Sequence, residues 1–146
     1  MSVALVDDHL LVRLLLGDEP TDLRSPDTEI ATTGLWYHRL CRALADQSVV
    51  GSMSRRLGAV DDNVAAGVLA SVVELPESIQ LISLRTLGWP MAELVHAGAR
   101  LNLLSLEALA AARHLPAEIW LAEHDDNGSL RAAASRFGVT IRSVHG

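Results

Sequence analysis

Acidic side chains recur in this sequence where a fold could gather them. Asp7 and Asp8 follow an apolar run at 3–6, Glu107 lies early in an apolar helical pattern, and Glu123 and Asp125 follow a second apolar run at 118–122. Carboxylates collected at strand ends offer the oxygen ligands that Mg²⁺ and Mn²⁺ prefer. An ion held in that way can orient water and stabilise the pentavalent phosphate of a hydrolytic displacement. Asp7, Glu107, Glu123 and Asp125 are the candidate catalytic and metal-ligating set. Each also has a purely structural reading. Asp7 and Asp8 can cap the following helix, Glu107 can serve a helix dipole, and 123–126 can be a solvated turn.

The remaining candidates are weaker as chemistry. His9 and His124 flank the acidic stretches and could touch a ligand there, but none of the six histidines sits at a zinc spacing. Cys41 is the single cysteine, so a cysteine-rich zinc site and an internal disulfide are both excluded; its apolar neighbours suggest an inert buried thiol. Trp36 and Tyr37 could stack on bases beside Arg39 and Arg42, or could simply pack into a core. A Gly-x-Ser-x-Gly elbow, a Gly-x-Gly-x-x-Gly loop and a Walker loop are all missing, which argues against serine-hydrolase, dinucleotide-binding and P-loop chemistry.

The elements that would position these residues alternate. Strand-like runs fall at 3–6, 29–33, 79–84, 118–122 and 139–144. Between them lie helical patterns at 9–16, 33–47, 63–75, 86–97, 105–115 and 129–137. Residues 18–28 read as a loop and 48–60 as irregular. Thr32 or Thr33, Asp61 or Asp62, and Ser105 are the expected helix caps, Glu107 then falls in a first turn, and Pro90 is expected near the first turn of its helix. This order predicts an α/β/α fold on a small parallel sheet of four or five strands, in one domain spanning 1–146. In such sheets ligands bind beyond the carboxyl ends of the strands, near a topological switch point. That rule selects Asp7-Asp8-His9 and Glu123-His124-Asp125-Asp126.

Composition limits the partners. The chain has 146 residues, twelve arginines, no lysine and a formal net charge of −6, so it lacks a general attraction for nucleic acid; an RNA partner would need a local arginine patch. Mean hydropathy is +0.24, yet no apolar run approaches the ~20 residues of a membrane span. The opening stretch lacks a basic segment followed by an apolar one, so a cytoplasmic location is expected.

Val-Ala-Leu-Val-Asp7-Asp8-His9 with the Leu-rich stretch after it resembles the opening of a PIN domain. Glu107-Ala108-Leu109, the run Glu-Ile-Trp-Leu-Ala122-Glu123-His124-Asp125 and the closing Leu130-Arg131-Ala132 to Gly138-Val139 are similar to that family's last helix–strand–helix–strand. The resemblance implies a Mg²⁺- or Mn²⁺-dependent ribonuclease fold, often a toxin paired with an antitoxin, and often dimeric. An apolar helix face around 53–75 could serve such a homodimer. The family's first acid matches Asp7, its third matches Glu107 (or Ser105, counting back from the next strand), and its fourth falls at Glu123 and Asp125. Its second acid, a Glu, corresponds to Arg39-Leu40-Cys41-Arg42-Ala43, where a cation replaces it. An arginine among metal-binding carboxylates competes with the ion, and each Glu in place of Asp lengthens a ligand in a site that demands tight geometry. The resemblance and these departures from it imply a PIN-like binding module with a degenerate acidic site and an Arg39–Asp7 salt bridge. The active ribonuclease is the alternative.

Overall fold

The computed structural model describes residues 2–45 and 60–145. In chain order the elements are β1 (Ser2–Val6), α1 (Asp8–Leu16), a 3₁₀ turn (Thr21–Arg24), β2 (Thr28–Thr33) and α2 (Gly34–Ala45). Then come α3 (Asp62–Val73), β3 (Ile79–Ile82), α4 (Leu84–His96), α5 (Leu103–His114), β4 (Glu118–Ala122), a second 3₁₀ turn (Glu123–Asp125), α6 (Gly128–Arg136) and β5 (Ile141–Val144). The expectation of irregular chain at 48–60, the end of the helix expected to reach 47 and part of the 53–75 face lie outside the described residues.

The five strands form one parallel sheet in the order β3-β2-β1-β4-β5. The chain steps outward from β1 to β3 and then returns to the other side of β1. Parallel crossovers are right-handed, so the two directions of travel must lay their helices on opposite faces. The packing follows that rule. Side chains alternate along each strand: Ala4, Val6 and Trp120 face Leu10, Leu11 and Leu40 of α1 and α2, and Val68 of α3. Leu5, Ile119 and Leu121 face Leu87 of α4, Leu109 of α5 and Leu130 of α6. The sheet is thus the middle of three layers, as its near-continuous apolar strands require.

Local chemistry explains the helix starts. The Asp7 carboxylate accepts from Leu10 N, Thr33 Oγ1 from Trp36 N, Asp61 from Val64 N and Ser83 Oγ from Arg85 N. Two expectations are corrected. Ser105 does not cap α5; Asn102 does, accepting from Ser105 N at 2.8 Å, which moves Glu107 out of the first turn. Asn and Ser are both competent caps, and they stand three residues apart, so the pattern alone cannot choose. Pro90 lies well inside α4 rather than near its first turn, because Ser83 starts that helix early.

Candidate functional site

The strand order reverses between β1 and β4, which places the ends of those strands side by side at a switch point. The ladder runs on past the strands: Asp7 N donates to Trp120 O at 3.2 Å, and Thr32 Oγ1 donates to Val6 O at 2.9 Å. Asp7 and Asp8 therefore leave β1 at the crevice mouth, opposite the turn that carries Glu123, His124 and Asp125.

Asp7 is fully buried and accepts from Leu10 N and Ala122 N, both at 2.9 Å. It thus caps α1 and pins the end of β4 at once. Burial pushes its carboxyl well above the usual carboxylate range, a hydrogen bond with Asp125 pushes the same way, and the two backbone amides only partly oppose them. Of the two carboxyls, Asp7 is thus the one biased towards keeping its proton. Burial also acts to raise Asp125, but hydrogen bonds from Asp7 and Arg39 outweigh it and hold Asp125 below its ordinary value.

Asp8 is equally buried, and its partner is Arg39. Nε and Nη2 of Arg39 donate to Oδ2 and Oδ1 of Asp8, each at 2.6 Å, and Nη2 also reaches Asp125 Oδ2 at 2.5 Å. The expected Arg39–Asp7 salt bridge is replaced by this double pair. Two backbone amides hold the Asp7 carboxylate between α1 and β4, whereas Asp8, which accepts from His9 N alone among the backbone amides, presents a bidentate face to α2. Burial lowers the Arg39 pKa, but the hydrogen bonds to Asp8 and Asp125 more than reverse that, so the guanidinium is firmly charged.

The other candidates scatter. Glu107 is completely buried; its Oε1 accepts from Leu35 N at 2.9 Å, holding the start of α2, and its Oε2 has no partner among the described residues. Glu123 is exposed and pairs with His145 Nδ1. Asp126 is bound by Arg131 through two hydrogen bonds. Arg42 is exposed on α2, and Trp36 is core, so the base-stacking reading of Trp36 loses its exposed ring. Tyr37 donates its hydroxyl to Val72 O at 2.7 Å, tying α2 to α3. The rings of His9 and His124 lie 5.2 Å apart beside the acids. Burial lowers the pKa of His9, and Arg39 and His124 add to this against the pull of Asp8 and Asp125.

Among the described residues one group could offer three ligand atoms to a cation, namely Asp8, His9 and Asp125, with those atoms within 4.8 Å of one another. Its fit to Mg²⁺ is poor. Both of its carboxylates already carry the Arg39 guanidinium, and burial biases the neighbouring Asp7 against its charged form. A hard ion with octahedral demands would have to displace a bidentate arginine.

Next to this network a cleft of about 430 Å³ opens between the starts of α5 and α6. Arg39 and Asp125 form one wall, and Arg100, Ser105 and Ser129 line the rest. Sequence reading missed Arg100 and Ser129. The available signal was the pair of helix-starting asparagines, Asn102 and Asn127, each of which caps its helix. No protein-family model matches the chain, and no curated protein matches it either.

Proposed function

We propose that this chain is a PIN-like domain whose acidic site is closed by its own cation, acting as a binding or interaction module with little or no nuclease activity. The observation that carries this reading is the double ion pair of Arg39 with Asp8 and Asp125. An arginine contributes the positive charge that a divalent ion would otherwise bring, and it does so without a coordination position open to water. The engagement of Glu107 with Leu35 N and of Glu123 with His145 supports the same reading. An RNA or protein partner, and a homodimer, belong to the proposal as the classes of ligand such a module would take.

The second reading is a Mg²⁺- or Mn²⁺-dependent ribonuclease of the toxin type, with an antitoxin as partner. It is favoured by the grouping of Asp8, His9 and Asp125. Calorimetric titration with Mn²⁺ together with an RNA-cleavage assay separates the two. The wild-type protein is expected to give no binding heat and no cleavage. Arg39→Glu is expected to acquire Mn²⁺ affinity, with Arg39→Gln as the variant of milder charge change. Stoichiometric Mn²⁺ uptake by the wild type, with RNA cleavage abolished by a chelator, would overturn the binding-module reading.

A further inference from the structure

We infer that the cleft between the starts of α5 and α6 binds a phosphate-class oxyanion, free or as a terminal phosphomonoester, without any metal. This rests on the reading of the chain as a binding module and deepens it by naming a ligand chemistry.

Unspent donors face the cleft. Asn102 and Asn127 satisfy Ser105 N and Leu130 N, which leaves the amides of Leu104 and Ser129 in the first turns without acceptors among the described residues. Both of these residues line the cleft. Two helix starts opening on one space add their positive dipole ends there. Helix starts alone do not make a site, and a buried side chain supplies the independent observation. Ser105 is only 7 % exposed, lines the cleft, and its hydroxyl makes no hydrogen bond among the described residues.

Charge selects the ligand. Arg100 lines the cleft, is exposed, and makes no ion pair among the described residues. The acid on the cleft wall, Asp125, is committed to Arg39. One uncommitted guanidinium and a set of neutral donors remain available. A tetrahedral oxyanion accepts from many directions and meets such a set well. The cleft volume falls in the usual range for small-molecule sites, so a phosphomonoester with a small polar body fits as well as the bare ion.

Calorimetry and thermal-shift measurements on the full chain, in chelator-containing buffer, test this with inorganic phosphate, ribose 5-phosphate and unphosphorylated ribose. Saturable binding of phosphate or of the ester, with none for ribose, is the expected result. Arg100→Ala should weaken it about tenfold or more and Ser105→Ala by about threefold or more, as befits a charged and a neutral hydrogen bond. Arg100 is exposed and Ser105→Ala removes one atom, so both variants should fold. Tighter binding of the ester identifies a phosphorylated metabolite as the occupant; equal affinities identify free phosphate. Absence of saturable binding at millimolar concentrations, or binding unchanged in both variants, overturns the inference. The parallel Mn²⁺ titration fails or succeeds independently, so loss of this site is not confused with loss of the closed-site reading.

Discussion

At the scale of single residues, Asp7 does two jobs that a solvated aspartate could not. Its oxygens hold Leu10 N and Ala122 N, and burial together with Asp125 raises its pKa. That upward shift has a consequence for stability. A carboxyl whose folded pKa is raised adds stability that is complete below its unfolded value, near pH ~4, and is lost as pH rises through the folded value. Asp125, held low, acts in the opposite sense: its contribution is present above the unfolded value and is lost as pH falls through its depressed one. Asp7→Asn removes the first effect and gives up one of the two backbone hydrogen bonds, a loss that does not vary with pH. The wild type is therefore expected to lose stability relative to Asp7→Asn as pH climbs from about 4 towards neutrality. Urea titrations at several pH values check this, and a pH-independent difference would refute the raised Asp7 carboxyl. The acids themselves were legible in the sequence, because strand ends at a switch point are where ligands sit. Arg39 was legible as an intruding cation, but its choice of Asp8 was not. That choice depends on which carboxylate the backbone had already claimed, and backbone hydrogen bonds are a property of the folded crevice.

At the scale of elements, the strands and helices matched the periodicity, and their ends matched less well. β4 falls on 118–122 as the apolar run indicates, with Ile119 and Leu121 on one face and Trp120 on the other. The start of α5 shows what a linear pattern lacks. Asn102 lies before Leu103 and Leu104, residues that look like loop when Ser105 is taken as the cap. Asn102 takes the cap by accepting from Ser105 N, so the Ser105 hydroxyl is not spent on capping. Asn102→Ala is expected to destabilise the protein by about 1 kcal/mol, the usual worth of an N-cap. It should also weaken oxyanion binding, since the first turn of α5 loses its anchor. Chemical denaturation and calorimetry on one preparation measure both; Ser105→Ala should lower affinity while leaving stability nearly unchanged.

At the scale of the molecule, alternation of strand and helix made an α/β/α sandwich legible, because parallel strands need crossovers that bury both faces. The order β3-β2-β1-β4-β5 was not legible, since periodicity carries no record of which strands become neighbours. That order makes β1 the middle strand, bonded to β2 on one edge and β4 on the other. Asp7 and Arg39 then stitch the α1 side to the end of β4 through Ala122 N and Asp125. Half of the sheet should therefore not be an independent unit. A fragment of residues 2–97 is expected to show no cooperative thermal transition by circular dichroism, although it retains β1, β2 and β3. A sharp transition in that fragment would show that the two sides fold separately.

The same placement governs how the chain is made. Leu5 and Val6 leave the ribosome well before Ile119 and Trp120, their partners across the sheet. At about 5–20 residues per second, translation leaves several seconds in which one edge of the central strand is bare. During that interval the nascent chain carries an apolar, unpaired edge, and the carboxyl of Asp7 still lacks the amide of Ala122. Slower synthesis lengthens that interval, and completion of β4 ends it by covering the edge.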